Sequence, residues 1–491
     1  MTQLNEQSIR KVVEDVLKLV QSGWGGRVAP KVGSGASPTI TPHAAGASTG
    51  NRFGLFADVD EAVQAAKVAQ QQLVRRSLAQ RKIACDLIKS ICINRADELG
   101  RLEYEETKLG HAPHKAEKLV TAGRIAMGVE GLKTACFSGD HGITLDEAGP
   151  WGVLGVVTPV THSLPTLAVN AVNMIAAGNS LVCNPHPKGK KIAALGVKLF
   201  NQAIYEKIGI DNLVCVITEP TLESAGKLFQ HPDIKVLVIT GGPGVVKAAL
   251  KSGKRAICAG PGNPPVVVDD SADLDNAARC IIDGGSYDNN LLCLSEKEVF
   301  VVAPVYDRMM DAMENAGAFR LSASQMRELG QKVIGPVGAE GYPHANKDFV
   351  GAEPWVLGEA IGVTVPKECR MLFGPAEWMD PLVQAEQMMP VLPFVKAESF
   401  EQAVEMALQA EHGFGHTAII HSRLVDHMTY MGKAMNTTLY VKNGPSVAGN
   451  GAGGEGYSSF SIACSTGEGI ATPMTFTRFR RCAMIDNLRI V

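Results

Sequence analysis

The chain opens on a helical pattern. Ile9, Val12, Val13, Val16, Leu17 and Val20 recur at the i, i+3, i+4, i+7, i+8 and i+11 positions that bring side chains onto one helix face. Arg10, Lys11, Glu14, Asp15 and Lys18 occupy the opposite face. From Gln21 to about Gly50 the pattern lapses into Gly, Ser, Pro, Ala and Thr, a composition that buries too little apolar surface to fold alone. Residues 1–20 are therefore expected to form an amphipathic helix, and residues 21–50 a flexible linker. A helix this short is marginal in water and could simply dock on its own chain. The tether argues for a separate surface, because an intramolecular helix needs no such leash.

Beyond Asn51 helical patterns alternate with short apolar runs that end in Gly or Pro. Val59 to Cys92 and Ala96 to Met127 are expected to be helices. Gly152 to Val157, Ser180 to Cys183, Leu213 to Val216, Lys235 to Ile239 and Pro265 to Val268 have the length and β-branched content of buried strands. Strand and helix in alternation predict a parallel α/β sheet.

A length of 491 residues exceeds one ordinary core, which points to two or three domains. The 47 Lys plus Arg nearly offset 50 Asp plus Glu, leaving a formal charge of −3 and no global bias toward nucleic acid or a membrane. The 11 cysteines contain no C-x-x-C pair and have an odd total, so neither a zinc site nor a disulfide framework follows. Met1 to Val20 lacks the apolar core of a secretory signal, and no run approaches the roughly 18 apolar residues of a membrane span. A reducing, cytoplasmic setting is expected.

Two turns suggest a nucleotide. The strand Val236 to Ile239 runs into Thr240-Gly241-Gly242-Pro243-Gly244 and then a helical segment, Val245 to Lys251, where free N–H groups at a helix start would attract a pyrophosphate. The third glycine of the usual dinucleotide fingerprint is missing, and such turns also occur for structural reasons alone. The second, Asn184-Pro185-His186-Pro187, is followed by Lys188, Lys190 and Lys191, which gather cations at the presumed sheet mouth or simply solvate a helix start.

Pro159, Ala176-Ala177-Gly178-Asn179, Thr240-Gly241, Asn289-Asn290-Leu291-Leu292-Cys293 and Glu386 to Pro393 stand in the order and spacing of the aldehyde dehydrogenase superfamily, which the chain resembles from about Asn51 to its C-terminus. Asn184 to Pro187, Ile239 to Gly244, Ala259 to Pro265 and Val441 to Ser446 resemble its coenzyme-A-acylating branch. The tethered N-terminal helix is similar to the tails that direct acetaldehyde and propionaldehyde dehydrogenases into bacterial microcompartments.

The resemblance implies a Rossmann-type cofactor domain from residues 51–136 and 152–258, an α/β catalytic domain from 259–469, and a small β oligomerisation flap from 137–151 and 470–491. Such flaps exchange between subunits, so a homodimer or homotetramer is expected. It implies that Cys293 is the nucleophile, although a free cysteine is by itself most often a buried hydrophobe. A thiolate adds to an aldehyde carbon and later leaves well, giving a thiohemiacetal and, after hydride loss, an acyl-thioester. Donors to the oxyanion would be the Cys293 backbone N–H and the side chain at Thr161, where a hydroxyl replaces the family's amide.

Ala259 lies 34 residues before Cys293, at the position where hydrolytic members carry a glutamate base. A methyl group there implies that the thioester is cleaved not by water but by the thiol of coenzyme A, with ping-pong kinetics. NAD and coenzyme A contacts are implied at Thr158, Pro159, Asn184, His186, Pro187, Lys188, Thr240, Gly241, Gly242, Gly260, Glu386 and Pro390. Asn290, Leu292, Leu294, Ala463 and Cys464 are expected to line the aldehyde pocket, and His416 could help deprotonate coenzyme A. No metal is expected. The substrate would be a short aldehyde such as propanal, ethanal or lactaldehyde, oxidised inside a microcompartment whose shell proteins meet residues 1–20. A hydrolytic aldehyde or semialdehyde dehydrogenase, and a scaffolding protein that retains the fold, are the alternatives.

Overall fold

The computed structural model describes residues 52–338 and 341–491. The expected helix of residues 1–20 and its whole linker, 21–50, lie outside them. The first sheet is parallel and six-stranded, in the order Leu55–Phe56, Val214–Ile217, Ser180–Pro185, Val153–Thr158, Ile234–Thr240, Arg255–Ala259. The chain leaves Val153–Thr158 in one direction and returns to its other side at Ile234–Thr240, so the strand order reverses between them. Ligands of open α/β sheets bind outside the carboxyl ends of the strands at such a reversal. Thr158 and Thr240 mark that place.

Pro265–Val268, read from sequence as a continuation of the first series, instead begins a second sheet. Its order is Phe319–Arg320, Leu372–Pro375, Val391–Ala397, Glu298–Val302, Pro265–Val268, Thr417–His421, Leu439–Lys442, again parallel. Its strands are almost wholly buried, as the near-continuous Val, Ile, Leu and Phe runs require of a sheet covered on both faces. The chain then returns to the first core. Phe460, Ile462, Ala463, Ala471 and Phe476 pack with the apolar residues behind the first sheet, so the packing changes hands well before the expected boundary at 469.

Each long N-terminal helix expected from the pattern is two. Val59–Leu73 and Leu78–Asn94 are separated where Ser77 turns extended and its hydroxyl accepts from the Gln80 N–H, capping the second helix. Ala96–Thr107 ends on Lys108 in the left-handed region, φ 56°, and Gly110 follows at φ 77° before Ala112–Ile125 restarts with Pro113 in its first turn. The apolar period carries across both breaks, which is why periodicity alone missed them. Ala135–Gly139, Gly142–Pro150 and Thr477–Ile485 form a separate antiparallel sheet with Phe137, Phe479 and Ile485 exposed.

Candidate active site

Cys293 lies where the two cores meet. Its neighbours Leu292 and Leu294 pack into the first core, whereas Glu298–Val302, which begins five residues later, is the middle strand of the second. The turn before it is made of three consecutive residues in the left-handed region, Asp288, Asn289 and Asn290, at φ 49°, 53° and 64°. Non-glycine residues enter that region reluctantly, and Asn and Asp do so most readily because their side chains bond locally. Here each side chain is used. Asn289 donates to the Gly351 carbonyl at 3.0 Å, and Asn290 donates to the carbonyls of Gly285 and Glu296, both at 2.8 Å.

Asp288 is fully buried and accepts from two buried lysines, Lys115 at 2.8 Å and Lys118. Lys115 also donates to the Thr161 carbonyl at 2.7 Å, tying the segment after the first cofactor strand to the nucleophile turn. Burial drives the Asp288 carboxyl up, but the two ammonium groups outweigh it and hold it below the usual range.

Downstream, Lys297 is also fully buried. Its ammonium donates to the Asn290 carbonyl at 2.9 Å, to the Asn290 side-chain oxygen, and to the Leu292 carbonyl at 3.2 Å. Glu386 approaches from the loop before Val391–Ala397 and accepts from the Gly262 N–H at 3.4 Å. A Cβ on Gly262 would collide with the Cys293 carbonyl and come 3.0 Å from the His416 ring, so glycine there allows the three to meet. Burial pushes the Cys293 thiol up to about 12, with Glu386 and Cys464 adding to the rise and Lys297 opposing it. Burial likewise lowers His416 to about 4, so its ring is neutral. Its Nδ1 bonds the Thr417 hydroxyl at 2.8 Å, and its buried Nε2 has no partner among the described residues.

Most of the expected cofactor residues stand at or just beyond the carboxyl ends of the first sheet's strands, whereas Glu386 and Pro390 belong to the loop before Val391–Ala397. Helix Pro243–Leu250 starts on Gly242 with no side chain capping its first amides, and a Cβ on Gly242 or Gly244 would meet open space. That opening fits a pyrophosphate. His186, Pro187 and Lys188 are exposed just after Ser180–Pro185, Gly241 is half-buried, and Pro159 follows Thr158 at the strand end. Thr158, Asn184 and Thr240 point inward: Thr158 meets Cys183 at 3.7 Å, Asn184 accepts from Ser224 at 2.6 Å, and Thr240 pairs with Ser461 at 2.8 Å. Gly260 faces Ser465 beside Cys464, and Pro390 is buried at the entrance to Val391–Ala397.

Leu292 and Leu294 line a cavity of about 20 Å³ with Thr121, Tyr287, Val447 and Phe460. Two further expected pocket residues are buried and do not line this cavity. Asn290 is consumed as the brace of its own turn, and Ala463 is a core residue with no exposed surface. Thr161 is held by its carbonyl to Lys115. Ala259 ends its strand beside Thr240, 3% exposed, and its carbonyl accepts from Gly241 at 3.2 Å. Sequence reasoning overlooked Lys115, Lys118 and Lys297; the charged run Ser295-Glu296-Lys297-Glu298 abutting an apolar strand was the available signal.

Among known proteins, the aldehyde dehydrogenase family model matches residues 37–340. The acetylating acetaldehyde dehydrogenase of Salmonella typhimurium is 41% identical over 99% of this chain and 100% of its own. The propionaldehyde dehydrogenase of Rhodopseudomonas palustris, solved with bound CoA and an acylated cysteine, is 40% identical with a TM-score of 0.86 over 89% of this chain and 100% of that one. A propionaldehyde dehydrogenase from the fucose utilisation microcompartment of Clostridium phytofermentans is 41% identical, with a TM-score of 0.86 and the same coverage. The α/β architecture expected from sequence is thus borne out, and the chain belongs to the aldehyde dehydrogenase family, within its acylating acetaldehyde and propanal dehydrogenases.

Proposed function

We propose that the protein oxidises a short aliphatic aldehyde such as ethanal, propanal or lactaldehyde, and passes the acyl group from Cys293 to coenzyme A, with NAD as cofactor. One observation carries this reading: the segment that reaches Cys293 through Gly262 begins at Ala259, a buried methyl where water-activating chemistry needs a carboxylate. The acylating relatives support it, including the one with an acylated cysteine beside CoA.

Cys293, as thiolate, forms a C–S bond to the aldehyde carbon and leaves negative charge on the former carbonyl oxygen. Its own N–H and the Thr161 hydroxyl are the proposed donors to that oxygen. NAD, when bound, supplies the hydride acceptor. Gly241, Gly242 and the first amides of Pro243–Leu250 would hold its pyrophosphate, and Glu386 its nicotinamide ribose. Once the carbon has lost hydride it is a thioester on Cys293. Neutral His416, with Nε2 free, can take the proton of the incoming thiol, and Cys293 departs as the acyl carbon bonds to the new sulfur. The exposed apolar residues of the flap support pairing with a second copy as homodimer or homotetramer. Residues 1–20 would address the enzyme to microcompartment shell proteins, a reading supported by its microcompartment relative.

The test is product analysis across short-chain aldehydes with and without coenzyme A. Sustained turnover and acyl-CoA should both require coenzyme A, and Cys293→Ala should lose more than about 10³-fold in rate. Free acid formed equally fast without coenzyme A would refute the acylating assignment. For the address, a fluorescent fusion of residues 1–20 should collect in shell-forming cells; diffuse signal would refute it.

A further inference from the structure

Lys297 has no place in the chemistry above, yet its position is unusual. A buried ammonium normally finds a carboxylate, because taking an ion from water without a counter-ion is costly. Lys297 is fully buried, and all three of its N–H groups are spent on neutral oxygens: the Asn290 carbonyl, the Asn290 side-chain oxygen and the Leu292 carbonyl. Among the described residues no carboxylate forms an ion pair with it; Glu386, Glu298 and Glu296 favour the ammonium only through space, against the cost of burial. Its own carbonyl is clamped by Gln387 at 2.5 Å, which also reaches the Val391 carbonyl at 3.1 Å. The cation is therefore fixed at both ends, and its anchors are the residues immediately before Cys293.

We propose that Lys297 is a positioning residue for the nucleophile: it holds the Asn290–Leu292 turn in place and supplies the fixed positive charge against which Cys293 becomes a thiolate. The groups facing Cys293 come from four elements. Glu386, from the loop before Val391–Ala397, and Cys464, from the turn after Ile462–Ala463, both oppose thiolate formation. His416, at the start of Thr417–His421, is neutral, which leaves Lys297 as the cation that favours the anion. Charges held by dipoles rather than by counter-ions keep their field, and a low-dielectric site transmits it.

The proposal rests on Cys293 being the nucleophile, and the experiment reads that thiol directly. Iodoacetamide alkylates a thiolate, forming a C–S bond and releasing iodide, and peptide mass analysis follows Cys293 alone. In full-length enzyme without NAD or coenzyme A, Lys297→Gln keeps donors for the turn but removes the charge. It should raise the apparent pKa of Cys293 alkylation by at least about one unit and slow alkylation at pH 7.5 about tenfold, and Lys297→Arg should recover most of the loss. A glutamine variant that alkylates like wild type would overturn the proposal. So would failure of both variants to fold, which would make Lys297 a scaffold residue. Loss of coenzyme A dependence would instead strike the proposed function and leave this result standing.

Discussion

Upstream of the nucleophile turn, Lys115 and Lys118 converge on the Asp288 carboxylate; downstream, Lys297 converges on carbonyl and amide oxygens. All four side chains are fully buried, and the turn between them is the same left-handed run. Upstream, the cations neutralise an acid and the product is mechanical, since Lys115 also grips the Thr161 carbonyl and the His111 N–H donates to Asp288 at 2.8 Å. Downstream, the ammonium is bonded to dipoles, and Glu386, Glu298 and Glu296 act on it only through space without an ion pair, so its charge also reaches Cys293. Two buried lysine arrangements around one turn thus divide holding from polarising, because the identity of the acceptor decides whether a charge is cancelled or merely fixed.

The comparison breaks first at Asp288. Asp288→Ala would strand two buried ammonium groups and release the His111 amide, and removing one partner of a buried pair costs about 3–5 kcal/mol. Urea unfolding should show that loss, and Cys293 alkylation should also become heterogeneous as the turn loosens. A loss below about 1 kcal/mol would mean that the upstream cluster holds nothing.

Glu103 gives a smaller effect with a defined sign. It is fully buried, one oxygen accepts from the Ser163 N–H at 2.7 Å, and the other has no partner among the described residues. Burial pushes its carboxyl up to about 7 from 4.5, against the pull of Lys115 and Lys118. The folded chain thus binds this proton more tightly than the unfolded one. The contribution is fully present below pH 4.5, declines as pH rises from there to about 7, and is lost above it. Glu103→Gln, which keeps the acceptor for Ser163, should flatten that decline and be more stable than wild type at pH 8 by on the order of 2 kcal/mol. Parallel stability curves between pH 5 and 8 would show that Glu103 is ionised throughout.

How much of this was legible follows from what periodicity encodes. Strand and helix order and the Thr240-Gly241-Gly242 turn stand out because apolar runs and glycine turns are local signals, whereas Cys293 is singled out only by the family resemblance. The helix breaks at Ser77 and Lys108 were hidden because the apolar period continues through them. Lys115, Lys118 and Lys297 were hidden for a different reason. Three residues apart on Ala112–Ile125, the first two look like a solvated helix face, and Ser295-Glu296-Lys297-Glu298 looks like a polar connector, yet every one of these side chains is buried. Charge patterning marks a surface only when no partner from elsewhere in the chain covers it. Asp288 covers the first pair from 170 residues or more away. The bracing role of the Asn290 side chain and the full burial of Ala463 were equally hidden, because a local pattern says nothing about which way a side chain turns.

The smallest expected effect is the sharpest control. Lys118 touches Asp288 but, unlike Lys115, makes no bond to the Thr161 segment. Burial already lowers its ammonium to about 8, with Asp288 pulling it back, so keeping it charged is costly. Lys118→Met would leave Asp288 paired with Lys115 and replace a desolvated cation by an apolar chain, a change that should move stability by less than about 1 kcal/mol. It removes as much positive charge from the interior as Lys297→Gln does. If charge near the turn were enough, both variants would slow Cys293 alkylation alike. If the charge must be one not bonded directly to a carboxylate, the alkylation profile of Lys118→Met should stay within about 0.3 pH units of wild type while that of Lys297→Gln shifts by a unit or more. Equal shifts would erase the distinction between the two sides of the turn.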